Sequence, residues 1–296
     1  MAGNESSPHT AQISQPYQWA LDSGVIAHRW KGKSNPPTAV LILQHGFGEY
    51  AARYFNGMVG FIQRLYDLGW EIWAIDAWGH GDSPGEPRSV INVHRAISDL
   101  TTLRERAAEA HPNAPIFLFG HSLGGLLAAC SVTKTKSNLD GVILCSAALQ
   151  KPSSWIRRLI VQPVAAVWGQ KQMSWTREPL EGISRIESVV DCVKSDPRMF
   201  KGAISWRLAA TALQAAETLW PWLPRWTLPT LVIHGTADRY TDPEQSRKFF
   251  QFISSRDKTL YLLEGGYHEL HRDSCAAEFD DIVVNWLSAH LSKASS

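Results

Sequence analysis

The residues of this chain best suited to chemistry form the run Gly120-His121-Ser122-Leu123-Gly124-Gly125. An apolar stretch, Pro115 to Phe119, precedes this run, and a helical stretch rich in small residues follows it from Leu126. This order predicts a strand, a sharp turn and a helix, with the serine hydroxyl held at the turn beside the positive helix end. Glycine-flanked serines alone are common in loops, so the flanking elements carry the prediction that Ser122 is a nucleophile.

A serine nucleophile needs a base within hydrogen-bond reach and an acid that orients the base. For a serine on such a turn, the acid and then the base follow later in the chain, each after a strand end. Asp238 lies in the loop after the predicted strand Thr230–Ile233. Asp242 competes with it, but Asp242-Pro243-Glu244-Gln245 has the residue types of a helix start. We therefore predict Asp238 as the orienting acid, with Asp242 as the alternative.

The candidate base lies after the predicted strand Thr259–Leu263. His268 is the first histidine beyond that strand and follows the flexible pair Gly265-Gly266. His271, three residues further on, is the alternative base or a packing histidine. Because a lone histidine is more often structural than catalytic, only its position relative to the sheet distinguishes His268 as the predicted base.

An oxyanion hole, which such a nucleophile also needs, consists of two backbone N–H groups aimed at the developing negative charge. One is expected from Leu123, directly after the nucleophile at the helix start. The other is expected from the loop Gln44 to Glu49, where Phe47 is the best candidate because flanking glycines permit a close turn. His45 precedes the nucleophile in the chain, so we assign it a structural role in this loop.

The elements that would position these groups alternate between strands and helices. The strands are continuously apolar, which is typical of a parallel sheet buried on both faces. Their alternation with amphipathic helices predicts an α/β fold, with a mostly parallel central sheet flanked by helices. The predicted strands are 39–43, 70–75, 116–119, 141–145, 230–233 and 259–263, after a hairpin at 17–30. The helices lie near 55–65 and 93–110, after Ser122, and near 243–252 and 276–291.

This alternation stops after Ala148 and resumes at Pro229, which predicts a helical cap inserted after the sixth strand. The predicted organisation is a flexible tail over 1–15, a core over 16–149 and 229–296, and a cap over 150–228. The inserted segment is rich in tryptophan, and two interpretations stay open: packing onto the core, or an apolar binding site above the sheet. Its tryptophans are Trp155, Trp168, Trp175, Trp206, Trp220, Trp222 and Trp226.

Composition excludes several other classes of function. The net charge of +1, without a dense run of basic residues, gives no support for nucleic-acid binding. The four cysteines are scattered without metal-ligand spacing, and Cys130 and Cys145 lie in apolar segments typical of buried free thiols. The polar residues 1–15 lack a signal-peptide core, and no apolar run approaches the roughly 18 residues of a membrane span, so we expect a cytoplasmic location.

Taken together, the motifs resemble those of the monoacylglycerol lipase and lysophospholipase group of α/β hydrolases. They occur in the family's order over nearly the whole chain. The motifs are His45-Gly46-Phe47-Gly48-Glu49 with Arg53-Tyr54, Asp76-x-x-Gly79-His80-Gly81-x-Ser83, Gly120-His121-Ser122-Leu123-Gly124-Gly125, His234-Gly235-x-x-Asp238 and Tyr267-His268-x-x-His271. The resemblance implies an α/β-hydrolase fold with a cap, a catalytic triad of Ser122, Asp238 and His268, and oxyanion amides at Phe47 and Leu123.

The expected activity is hydrolysis of monoacylglycerol-like or lysophospholipid-like esters through an acyl-enzyme, with no metal or organic cofactor. An amphipathic cap face would also contact membrane or micelle surfaces transiently to collect a lipid. General short- or medium-chain carboxylesterase activity is an alternative, and so is transfer to an acceptor other than water. Amide or aminopeptidase-type cleavage would need acidic cap residues, for which Glu178, Glu181 and Glu187 are candidates. A catalytically silent ligand-binding protein is the non-enzyme alternative.

Overall fold

The computed structural model describes residues 15–55, 60–86, 88–135, 139–151, 155–173, 176 and 179–294. For residues 155–160 and 292–294 it describes the backbone alone. Residues 1–14 of the tail predicted over 1–15, and the predicted contributions of Met58, Trp175 and Glu178, lie outside these residues.

A single eight-stranded sheet forms the centre of the described fold, in the order β1-β2-β4-β3-β5-β6-β7-β8. Strand β2 pairs antiparallel with β1 and β4, and all other pairs are parallel. This confirms the predicted α/β class and mostly parallel sheet. The strands are β1 (Tyr17–Ala20), β2 (Ile26–Trp30), β3 (Val40–Gln44), β4 (Glu71–Ile75), β5 (Ile116–His121), β6 (Gly141–Cys145), β7 (Thr230–Gly235) and β8 (Lys258–Leu263).

The central strands are buried on both faces, which explains their continuous apolar sequences. Every residue of β3, β4, β5, β6 and β7 is buried. Alternate side chains therefore enter two separate cores: Ile42 and Leu118 pack in one, and Leu43 and Phe119 in the other. Burial on both faces requires helices on both sides, as the alternating pattern predicted.

Eight α-helices accompany the sheet in the described part of the chain. They are α1 (Gly60–Asp67), α2 (Val93–Ala110), α3 (Leu123–Lys134), α4 (Trp155–Trp168), α5 (Glu187–Ser195), α6 (Trp206–Trp222), α7 (Pro243–Phe252) and α8 (Ala276–Ala294). Short 3₁₀ turns occur at Ala51–Tyr54, Leu180–Gly182, Leu223–Arg225 and Leu270–Arg272. None of the helices described combines the length and the apolar character that crossing a bilayer requires.

Helices α4, α5 and α6 lie between β6 and β7 in the chain, where the sequence predicted an insertion. Helix α6 packs on α2 and α3, so this part of the insertion is continuous with the core. The Trp226 side chain is fully buried and donates its indole N–H to Thr230 Oγ1 at 2.7 Å. Trp220 is buried in the same core, so the packing interpretation holds for both tryptophans. Trp168, in contrast, is 52% exposed.

The cysteine prediction also agrees with the structure. Cys130 and Cys145 are both buried, and all four cysteines are free thiols. Burial raises the pKa of the Cys130 thiol to about 12, so this side chain packs as a small apolar group.

Candidate active site

Ser122 occupies a strained turn between β5 and α3, as its flanking sequence predicted. Its backbone has φ 55° and ψ −121°, a conformation that non-glycine residues seldom adopt. The flanking glycines are required by close packing: a Cβ at Gly120 would lie 2.5 Å from the Gly124 carbonyl oxygen. A Cβ at Gly124 would lie 2.3 Å from the Gln44 carbonyl oxygen. Helix α3 can therefore start directly behind the serine.

Asp238 and His268 form a hydrogen-bonded pair at the ends of β7 and β8. The His268 Nδ1–H donates to Asp238 Oδ2 at 2.8 Å, and the carboxylate is fully buried. Asp242, the alternative acid, instead caps α7 by accepting from the Glu244 N–H at 2.9 Å. The structure therefore places Asp238, and not Asp242, against the imidazole.

Five groups lie within hydrogen-bond distance of the two Asp238 oxygens. Oδ1 accepts from the backbone N–H groups of Tyr240 and Thr241 at 2.8 and 3.1 Å. Oδ2 lies near the Thr241 hydroxyl, His234 and His268, at 2.8, 3.1 and 2.8 Å. Burial alone would raise the pKa of Asp238, but the two histidines outweigh it and hold this pKa well below its usual range. The carboxylate is therefore charged throughout the physiological range.

The His268 segment lies against the serine turn. His268 accepts a hydrogen bond through its backbone oxygen from His121 Nε2 at 3.3 Å, and His121 is the residue directly before Ser122. The ring centroids of His121 and His268 are 4.9 Å apart. Since β5, β7 and β8 are parallel, their carboxyl ends bring these residues to one edge of the sheet.

His271, the alternative base, lies in the core behind this edge. Among the described residues its two ring nitrogens have no hydrogen-bond partner, and its ring stacks on Tyr54 at 5.0 Å. Burial and the neighbouring His121 hold the pKa of His271 well below its usual value, so the ring is neutral. These contacts give His271 the role of a packing histidine.

The loop after β3 lies beside the serine, where an oxyanion amide is needed. A Cβ at Gly46 would lie 3.0 Å from the Ser122 Cβ. Among the described residues, no protein group accepts from the Phe47 N–H, and Leu123 opens α3, where the first amides lack intrahelical partners. Among the described residues, neither predicted amide therefore has a protein acceptor. His45 accepts from the Ala77 N–H at 3.0 Å, which agrees with the structural role predicted for it.

His80 holds this loop in place by accepting from the Gly48 N–H at 3.1 Å. Burial lowers the pKa of His80 to about 4, so its ring is neutral and can accept at neutral pH. Gly48 itself has φ +81°, in the region that favours glycine.

A buried ionic network joins the loop after β3 to the His268 segment, and sequence analysis assigned it no role. Arg53 binds both carboxylate oxygens of Glu269 at 2.6 and 2.8 Å and reaches Glu49 at 3.2 Å. Glu49 in turn accepts from His121 Nδ1 at 2.7 Å. Burial would raise the pKa of Glu49, but His121 and Arg53 hold it well below its usual value. Glu49 and Arg53 belong to the motifs recognised in the sequence, but Glu269, the second carboxylate that Arg53 binds, does not.

The inserted segment also touches the loop after β3. The Phe200 N–H donates to the Gly48 carbonyl at 2.9 Å, and the Phe200 and Phe47 rings meet edge to face at 5.5 Å. Nearby, the Tyr50 hydroxyl donates to Asp196 Oδ2 at 2.7 Å. The position of residues 196–200 is thus directly linked to the loop that carries Phe47.

Comparison with known proteins shows which family this chain belongs to. The profile of the family described as "Serine aminopeptidase, S33" matches residues 35–275. The chain is also 30% identical to the monoglyceride lipase of Rattus norvegicus, over 90% of this chain and 89% of the rat protein. The chain belongs to the monoacylglycerol lipase group of the α/β hydrolases.

Solved structures agree with this membership. The crystal structure of Paleococcus ferrophilus monoacylglycerol lipase is similar to this chain with a TM-score of 0.77 and 29% identity, covering 89% of this chain and 99% of that one. A soluble variant of Saccharomyces cerevisiae monoglyceride lipase, in complex with a substrate analog, has a TM-score of 0.79 at 23% identity, covering 98% and 99%. The second likeness concerns the fold alone.

Proposed function

We propose that this protein is a serine hydrolase that cleaves monoacylglycerol esters through an acyl-enzyme, with Ser122, His268 and Asp238 as its catalytic triad. The observation that carries the proposal is the 2.8 Å hydrogen bond between His268 Nδ1 and buried Asp238, at the sheet edge where half-buried Ser122 lies on its strained turn. The Rattus norvegicus protein named above is a monoglyceride lipase, and its similarity extends over 90% of this chain.

In the proposed reaction His268 Nε2 takes the proton of the Ser122 hydroxyl while the serine oxygen attacks the ester carbonyl. Because Nδ1 donates to Asp238, the proton on that nitrogen is fixed and Nε2 is left as the base. The Asp238 charge stabilises the imidazolium that forms. His268 then protonates the leaving glycerol oxygen, and a water molecule repeats the sequence to release the fatty acid.

The backbone amides of Phe47 and Leu123 are proposed to bind the oxyanion of each tetrahedral intermediate. Each such donor contributes about 3–4 kcal/mol to transition-state stabilisation in serine hydrolases. The positive end of α3, which begins at Leu123, adds to the same field. This role explains why the loop after β3 is held by several buried contacts.

We further propose that residues 150–228 form a cap that receives the acyl chain and meets the lipid phase, above a core formed by 16–149 and 229–296. Two large apolar side chains at the end of α4 support this assignment: Val167 is 73% exposed and Trp168 is 52% exposed. Exposed apolar residues on an amphipathic helix are typical of proteins that contact membrane surfaces. The contact of Phe200 with the loop carrying Phe47 extends the apolar surface of the insertion toward the serine.

The described cap carboxylates do not favour an aminopeptidase. Such an enzyme needs acidic cap residues that are free to hold an amine. Glu181 is exposed and already pairs with Lys194 at 2.7 Å, and Glu187 is exposed as well. Ester cleavage therefore explains the described site better than amide cleavage at an amino terminus.

The test is hydrolysis of a p-nitrophenyl ester series from acetate to laurate, and of a monoacylglycerol, by wild type and Ser122→Ala. We expect the substitution to remove turnover of every ester and medium or long chains to be preferred. Equal residual rates for the two proteins would refute an enzymatic role. A preference of about tenfold or more for short esters would refute a lipid substrate, although the protein would still be an esterase. A tenfold preference corresponds to about 1.4 kcal/mol of transition-state binding.

A further inference from the structure

The proposed mechanism leaves unexplained a second histidine on the Asp238 carboxylate. His234 Nε2 lies 3.1 Å from Asp238 Oδ2, the same oxygen that accepts from His268 Nδ1. The His234 and Asp238 side chains are both fully buried, and His234 belongs to β7, four residues before the aspartate. Two imidazoles therefore contact the same carboxylate oxygen.

The other side of His234 determines which nitrogen carries its proton. His234 Nδ1 lies 2.7 Å from the hydroxyl of Ser246, a fully buried residue of α7. A neutral imidazole has one N–H donor and one acceptor nitrogen. Since the charged carboxylate can only accept, the proton belongs on Nε2, and Nδ1 accepts from Ser246.

Three oxygen atoms surround Nε2, and the backbone oxygen of Thr241 is one of its hydrogen-bond partners. The Thr241 hydroxyl and the Thr241 backbone oxygen lie 3.2 and 3.3 Å from His234 Nε2, slightly further than Asp238 Oδ2 at 3.1 Å. Asp238 is also the only anion in direct contact with this nitrogen among the described residues, and hydrogen bonds to a charged acceptor are the stronger ones.

We propose that His234 is a positioning residue, oriented by Ser246, that holds Asp238 Oδ2 toward His268; this inference rests on the proposed triad. The backbone amides at residues 240 and 241 hold Oδ1, and the Thr241 hydroxyl donates to Oδ2 at 2.8 Å. His234 adds a fully buried ring to the contacts of Oδ2, at 3.1 Å, and a ring held by Ser246 turns less freely than a hydroxyl. A fixed Oδ2 keeps the proton of His268 on Nδ1 and its Nε2 aimed at the serine.

The test compares four variants of the full chain. His234→Leu removes both hydrogen bonds, His234→Gln keeps an N–H donor of similar reach, and Ser246→Ala removes the group that orients the ring. The matched control is His111→Leu, because His111 also bonds a carboxylate, Glu71 at 2.7 Å, but at the opposite end of the strands. The substrate is a medium-chain p-nitrophenyl ester.

We expect His234→Leu to lower kcat by about 10- to 100-fold with little change in KM, the size of effect expected for a lost hydrogen bond to a charged group. His234→Gln should recover most of this loss, and Ser246→Ala should lower kcat severalfold. His111→Leu should leave kcat unchanged. If His234→Leu does not fold, His234→Gln and Ser246→Ala provide the test instead. An unchanged kcat in Ser246→Ala would then overturn the proposal.

A second measurement does not depend on turnover. The proton shared by His268 Nδ1 and Asp238 should give a low-field NMR resonance, which we expect to be lost or shifted in His234→Leu and retained in His234→Gln. A retained resonance with kcat within threefold of wild type in folded His234→Leu would overturn the positioning role. If wild type does not hydrolyse the ester at all, the proposed function is overturned. The NMR resonance would still test whether His234 acts on Asp238.

Discussion

Replacing Gly48 by alanine tests how the loop carrying Phe47 depends on the inserted segment. Gly48 has φ +81°, and a Cβ there would lie 2.6 Å from the Phe200 carbonyl oxygen. Because that oxygen belongs to backbone, the contact cannot be relieved by turning a side chain. Either the loop after β3 or the segment around Phe200 must move.

The magnitude follows from two separate costs. The left-handed backbone conformation costs alanine about 1–2 kcal/mol. Relieving the overlap also weakens the 2.9 Å hydrogen bond from the Phe200 N–H to Gly48, which contributes about 1 kcal/mol. We therefore expect the free energy of unfolding to fall by about 2–3 kcal/mol. A displaced Phe47 amide would lower kcat/KM by about 100-fold, as for loss of one oxyanion donor.

Gly24 provides the matched control. It has φ +87°, but a Cβ there would meet only ordinary contacts at 4.0 Å, in the turn between β1 and β2. Gly24→Ala should lose about 1–2 kcal/mol of stability and keep wild-type kcat/KM. Urea unfolding and ester kinetics on both variants give the comparison. If Gly48→Ala hydrolyses the ester as fast as Gly24→Ala, the assignment of the oxyanion amide to this loop is refuted.

Three further predictions concern buried groups. Arg53→Met should cost about 3–5 kcal/mol of stability, because it leaves buried Glu269 unpaired, and adding Glu269→Gln should recover part of this loss in urea unfolding. The pKa of His80 is lower in the folded protein, at about 4, than its ordinary 6.5, so the stability it contributes is complete above pH 6.5 and is lost as pH falls toward 4. Between pH 6.5 and 4 the free energy of unfolding of wild type should fall with pH more steeply than that of His80→Gln, by up to about 1.4 kcal/mol per pH unit. Equal slopes for the two proteins would contradict a neutral, accepting His80 ring. Trp226→Ala should cost about 3–5 kcal/mol and leave acyl-chain preference unchanged, because this ring lies in the core; an altered preference in the ester series would place it in the substrate site instead.

Local sequence patterns were sufficient to predict the strands and helices of the sheet region and the sharp turn at Ser122. The predicted ranges of α2, β6 and α7 agree with the structure at both ends, since capping residues and continuous apolar runs act within a few positions. The same local signals separated Asp242, a helix cap, from Asp238, which bonds to His268. The catalytic roles of the site residues and the division into core and cap stay predictions.

What the sequence by itself determined is therefore the order of strands and helices, the turn that strains Ser122, and which residues follow which strand ends. Only the tertiary structure decided which side chains meet. Arg53 and Glu269 are 216 positions apart, yet they form a buried pair, and His268, from beyond β8, meets the same Asp238 oxygen as His234 of β7. Local patterns reflect backbone preferences and the burial of one face, whereas such contacts depend on how distant loops pack at one sheet edge. For that reason the proposed triad could be predicted from the sequence, whereas the side chains packed around it, such as His234 and the Arg53–Glu269 pair, were identified only in the structure.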